Sequence, residues 1–175
     1  MKLIVIDMQK GLVCDELYSF DGFIENVEKL IRVARSNNVE VIFVKHNFGE
    51  ESGFTFGDEA FEIACQVAPR DDEKVFVKMI NSCFGNEDFA KYLKQSGENE
   101  LMIVGLQTDF CIDATVKSAF ERGYKVYIPK GTNSTFSNDY LDGETIYKYF
   151  NEWVWPGTFA ITISMNEAIK LLKNE

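Results

Sequence analysis

Residues 100–128, ELMIVGLQTDFCIDATVKSAFERGYKVYI, read as strand, turn, helix and strand. The run from Glu100 to Gly105 is short and apolar almost throughout, as a strand covered on both faces should be. Asp109 to Phe120 carry a helical pattern, Gly123 stops it, and Tyr124 to Ile128 form a second apolar run. Two strands joined by a helix lie parallel, because the crossover returns the chain to the same end of the sheet.

The rest of the chain repeats this unit. Strand-like runs stand at 2–7 (KLIVID), 39–45 (VEVIFVK), 74–78 (KVFVK) and 159–163 (FAITI), making six in all. Ile24, Val27, Leu30, Ile31 and Ala34 recur at helical spacing, and 87–93, 144–153 and 166–172 read as further helices. Asn37-Asn38 and Gly97 punctuate the ends of helices. The expectation is one α/β domain over residues 1–175, a six-stranded parallel sheet with helices on both faces. Residues 46–73, with Phe48, Phe54 and Phe56 among glycines, form the least regular stretch, with room for a short helix at 58–65. It is longer than most loops and resembles a pocket wall or a subunit contact more than a spacer, while phenylalanines in such a loop are packing groups by default.

Composition narrows the function. A net charge of −10 argues against nucleic acid and against an anionic membrane surface, both of which need clustered Lys and Arg. No run is long enough to span a bilayer and no secretory leader is visible. The four cysteines show no CxxC pair, so they are expected to be reduced thiols in a cytoplasmic protein. No GxGxxG follows the first strand and no phosphate-binding GxxxxGK[ST] occurs. A single histidine, His46, excludes a His-rich zinc site. No cofactor and no metal are expected.

Three residues suited to hydrolysis stand where separate βα units end: Asp7, Lys78 and Cys111. In an open parallel sheet such positions converge on one edge, where ligands bind. Cys111 sits in the first turn of a helix, where free N–H groups favour a thiolate and can hold an oxyanion. Most cysteines are instead inert and buried. Asp7 ends an apolar strand and suits a general base; its bland alternative is a cap or a loop acceptor. Lys78 would keep Asp7 ionised and favour the thiolate, or would otherwise snorkel to the surface. His46 follows the second strand. A Cys–His pair is the lesser option for it, and lining the site for substrate contact the greater.

Together these residues resemble the isochorismatase-like cysteine hydrolase family, which includes nicotinamidases and N-carbamoylsarcosine amidase. IVIDMQKG (4–11) is similar to its first-strand DMQ signature, and VKMINSCF (77–84) to its K…SAF segment. GLQTDFCIDATVKSAFERGYKVYI (105–128) closely matches the pattern G-x-x-T-x-x-C-V-x-x-T-x-x-x-A-x-x-x-G-Y-x-V. The resemblance implies a Rossmann-like three-layer fold and an Asp7–Lys78–Cys111 triad. It further implies a cis peptide at Gln107–Thr108 that turns an N–H toward the oxyanion. Substrate contacts are expected from His46, Phe48, Cys83 and Phe84, and the assembly is expected to be a homo-oligomer, dimer or tetramer, acting on a small molecule.

The chain departs from the family at three places. Metal-binding nicotinamidases carry an Asp and two His after the second strand, where this chain has only His46 and Asn47. Cys83 replaces the Ala of SAF, and Gly131-Thr132 stand where Asp-Ala is common. Isochorismatases proper lack the cysteine. The reading is a metal-independent amidohydrolase cleaving a C–N bond of a small amide or carbamoyl compound through a thioester. The alternatives are nicotinamidase-type activity, a non-catalytic binding or assembly module, and a redox sensor using Cys83 and Cys111.

Overall fold

The computed structural model describes all of residues 1–175. Its first strand, β1 (Lys2–Ile6), is buried along its whole length, and its side chains alternate between two cores. Leu3 and Val5 join a cluster with α1 (Phe20–Ser36), while Ile4 and Ile6 join the cluster on the other face. A strand apolar on both faces can exist only between two helical layers, and that burial is the main stabilising term for the fold.

The sheet continues through β2 (Val41–His46), β3 (Lys74–Lys78), β4 (Glu100–Leu106), β5 (Lys125–Pro129), β6 (Asn133–Ser134) and β7 (Ile161–Ile163). Its order is β3-β2-β1-β4-β5-β7, and every pairing is parallel. Helices α1 and α5 (Met165–Lys173) cover one face; α2 (Glu87–Ser96) and α3 (Asp113–Glu121) cover the other. No helix is long and apolar enough to cross a membrane.

One strand escapes sequence reading. β6 pairs with Gly105 and Leu106 beyond the end of β5, making seven strands. Two residues leave no periodic signal. β6 is fixed instead by Thr132, whose carbonyl accepts from Gly105 N at 2.9 Å and whose hydroxyl donates to Pro129 O at 2.7 Å. The helix expected over 144–153 is α4 (Gly143–Lys148) followed by a wider π turn, Tyr149–Val154. Residues 46–73 hold two short 3₁₀ turns, Glu59–Phe61 and Cys65–Val67, in place of the helix expected at 58–65.

That irregular stretch is laced to the loop after β1. Lys10 N donates to Glu62 O at 2.8 Å, Gly11 N to Ala60 O at 3.1 Å, and Ala64 N to Met8 O at 2.8 Å. A Cβ on Gly11 would lie 2.4 Å from the Phe54 ring, so only glycine lets these segments meet. Trp155 is fully buried and donates to Asp113 Oδ1 at 2.9 Å, so it belongs to the core. Trp153 remains 76% exposed.

Candidate active site

Four adjacent strands deliver one functional group each to the same edge. Lys78 is the last residue of β3, and His46, the last of β2, stands in register beside it. Asp7 follows β1 directly, and Cys111 follows β4 within a π turn, Thr108–Ile112, that runs into α3. Strand order reverses between β1 and β4, because β1 leads outward to β2 and β4 outward to β5. Open parallel sheets bind ligands at such a reversal.

Backbone geometry at this point is unusual. Asp7 has φ of 52°, left-handed, which turns the chain sharply out of the strand. Gly105, paired with the preceding Ile6, has φ of 122°, and a Cβ there would lie 2.0 Å from Ile6 O. Glycine is obligatory for β1 and β4 to approach this closely. The non-proline cis peptide lies between Leu106 and Gln107, one bond earlier than the expected Gln107–Thr108.

Lys78 is the hub. Its Nζ lies 2.8 Å from Asp7 Oδ2, 2.8 Å from His46 Nδ1 and 3.1 Å from Cys111 Sγ. An ammonium has three N–H donors, and here each finds one acceptor. His46 therefore accepts through Nδ1 and keeps its proton on Nε2. Burial, with the Lys78 charge adding to it, lowers its pKa to about 4, so the imidazole is neutral at pH 7. His46 Nδ1 also lies 3.5 Å from Cys111 Sγ, and its ring stacks on Phe48 with centroids 4.1 Å apart.

Burial raises Asp7 above the usual carboxylate range, against the opposing pull of Lys78 and of the nearby Cys111 thiol. Its Oδ1 is buried with no hydrogen-bond partner. Burial also opposes the charge on Lys78, but Asp7 and then Cys111 outweigh it and hold the ammonium above the ordinary lysine range. Burial, and after it the charge of Asp7, raises the Cys111 thiol despite Lys78. This corrects the expectation of a resting thiolate: helix position favours the anion, but desolvation is the larger effect. Burial therefore works against a resting thiolate at Cys111, beside a neutral imidazole.

A cavity of about 210 Å³ opens onto this cluster, lined by Asp7, Leu12, Phe48, Asn81, Gln107, Phe110 and Cys111. Of the expected site residues, Asp7, Cys111, Gln107 and Phe48 reach its wall, while Lys78 and His46 stand behind it. Thr108 is fully buried and donates to Asn133 Oδ1 at 2.7 Å. Cys83 and Phe84 belong to the core and do not line the cavity; Cys83 N donates to Thr115 Oγ1 at 3.1 Å, and Phe84 packs on Phe89 and Tyr124. Burial pushes the Cys83 thiol up to about 12.

Sequence reasoning missed Leu12, Asn81, Phe110 and Gln9. Asn81 Oδ1 lies 3.8 Å from Cys111 Sγ. Gln9 is fully buried and clamps His46 from both sides, accepting from its N–H at 2.7 Å and donating to its carbonyl at 3.0 Å. Its place in IVIDMQKG was the available signal. The altered segment after β5 does not touch the cavity. It props the turn before Cys111, with Asn133 paired to Asn151 at 2.9 and 3.0 Å, and Thr135 donating to Asp109 at 2.6 Å.

Asp7, His46 and Cys111 would each offer a ligand atom to a metal ion, all within 4.8 Å of one another. The Lys78 ammonium already touches all three, so a divalent cation would have to displace a buried one. The donor set does not fit a resident metal.

Residues 2–150 match the isochorismatase domain model. The chain belongs to the isochorismatase family, a family of hydrolases. It is 33% identical over 127 residues to the uncharacterised isochorismatase family protein YddQ of Bacillus subtilis, covering 70% of this chain and 71% of that one. It is 25% identical over 153 residues to Nicotinamidase 3 of Arabidopsis thaliana, covering 78% and 74%. A crystal structure of an isochorismatase family protein superposes with a TM-score of 0.84 at 28% identity, covering 93% of this chain and 97% of that one.

Proposed function

We propose that the protein is a metal-independent cysteine hydrolase that cleaves the C–N bond of a small amide or carbamoyl compound. One observation carries this reading: a buried ammonium bridges a carboxylate and a thiol at the wall of a small cavity. Similarity to a nicotinamidase supports the same class of bond.

As Cys111 Sγ bonds to the substrate carbonyl carbon, its proton passes to Asp7, whose unpartnered Oδ1 is open to receive it. The site's net charge does not change in this step, because the negative charge moves from carboxylate toward sulfur and substrate oxygen while Lys78 stays in contact. A buried cluster tolerates such a relocation far better than the creation of a new ion. Backbone N–H groups of the Gln107–Cys111 turn hold the carbonyl oxygen, with Gln107, which follows the cis peptide and lines the cavity, and Cys111 as donors. Asp7 returns the proton to the leaving nitrogen, the C–N bond breaks, and ammonia or an amine departs from a thioester on Cys111. Water then adds to the thioester with its proton going to Asp7, the C–S bond breaks, and the sulfur recovers that proton as the acid leaves. The enzyme is proposed to work as a cytoplasmic dimer or tetramer.

A panel of primary amides, ureas and carbamoyl compounds assayed for ammonia tests the activity. Turnover lost in Cys111→Ala is the expected result; the same turnover in Cys111→Ala and the wild type would contradict the proposal.

A further inference from the structure

The cavity's walls are informative about the substrate as well as the chemistry. Leu12, Phe48 and Phe110 are apolar, while Asn81 and Gln107 are neutral amides. The wall carries one ionisable pair, Asp7 with Cys111, and both groups are committed to proton transfer in the proposed reaction. Lys78, 1% exposed, has all three N–H groups engaged and does not reach the cavity. His46 is neutral and turned toward Lys78.

We infer that the substrate is a neutral primary amide with an apolar acyl group, lying against Phe48 and Phe110, with its amide between Asn81, Gln107 and Cys111. This inference rests on the amide hydrolysis proposed above. An anionic acyl substituent would enter a cavity of about 210 Å³ with no cation to pair with and would sit beside the Asp7 carboxylate. Burying an unpaired charge in such surroundings is strongly unfavourable. A cationic substituent would pair with Asp7 and block its role as base. Phe48 and Phe110 are 49% and 53% exposed, so apolar surface is held open at the mouth instead of being packed away. Phe48 is kept in place by His46 on its face and Phe54 at its edge, ring centroids 5.3 Å apart. A fixed ring gives a flat platform at little further entropic loss on binding.

The test compares benzamide and isobutyramide with succinamate, an anion, and glycinamide, a cation, by kcat/KM with wild-type and Cys111→Ala enzyme. The neutral amides are expected to exceed both charged ones by at least about tenfold. Cys111-dependent turnover of a charged amide at an equal or higher kcat/KM would overturn this inference and leave the proposed chemistry standing. No turnover of any of the four, nor of the wider ammonia panel, would overturn both. Phe110→Arg, at an exposed position, supplies the second reading: it is expected to shift the succinamate-to-benzamide ratio upward by about tenfold. An unchanged ratio in the folded variant would remove Phe110 from the acyl site and overturn the proposed placement.

Discussion

The two ends of β1 carry the same kind of ion pair with opposite results. At its start, Lys2 pairs with Glu40 at the rim, where the side chains are 10% and 33% exposed. Just past its end, Asp7 pairs with Lys78, the side chains 2% and 0% exposed. Burial is the largest single influence on both carboxyls. At Glu40, hydrogen bonds from Lys2 and Tyr92, joined by the charges of Lys2 and Lys74, overcome it and hold the acid below its ordinary range. At Asp7 they do not, and the acid is held above it. The rim pair is a fixed charge. The interior pair is a carboxylate already inclined to take a proton, and this inclination is what a general base at neutral pH requires.

The largest effect is expected from removing the buried ammonium. Lys78→Met is expected to lower stability by about 3–5 kcal/mol in urea unfolding, because Asp7 loses its buried partner. Amide turnover should fall by about 10³-fold or more with the loss of the cation beside the attacking sulfur. Asp7→Asn keeps the shape but cannot take the thiol proton; kcat is expected to drop by about 10²–10⁴-fold in the ammonia assay.

His46 sharpens the contrast through pH. The unfolded chain protonates it near 6.5 and the folded protein only near 4, so between these values the unfolded state binds more protons. Its contribution to stability is therefore present above about pH 6.5 and is lost as pH falls toward 4. Urea unfolding at several pH values should show this loss, and in His46→Asn the slope should be flatter than in the wild type. Asp7 contributes with the opposite sign, since its raised pKa makes the folded state the better proton binder above 3.8. The difference between the two proteins isolates the histidine. The smallest effect is expected from Lys2→Met, about 0–1 kcal/mol with unchanged turnover, since a partly exposed rim pair contributes little.

The sheet was legible because each apolar run had to be buried on both faces, and that requirement is written in strings such as LIVI and LMIV. Asp7 and Lys78 were legible for a related reason, each a charged residue placed where an apolar run stops, and Cys111 because it opens the helix that follows such a run. The cavity wall was not. Leu12, Asn81 and Phe110 become neighbours only after loops from three strands are folded together, and no spacing rule links them. The direction of the thiol's shift was missed because the helix-terminus argument is local, whereas desolvation depends on everything packed around the sulfur. β6 was invisible for want of length, although its effect, propping the turn through Asn133 and Thr135, is larger than its size suggests.

The central claim is that Cys111, with Asp7 as its base, carries the acyl group of an amide. Acid quenching during turnover of the best amide in the panel, followed by peptide mapping of all four cysteines, tests it most directly. The account predicts the acyl mass on Cys111 alone, accumulating only while substrate remains. Full turnover with Cys111 unmodified, or an adduct confined to the more exposed Cys14 or Cys65, would contradict it.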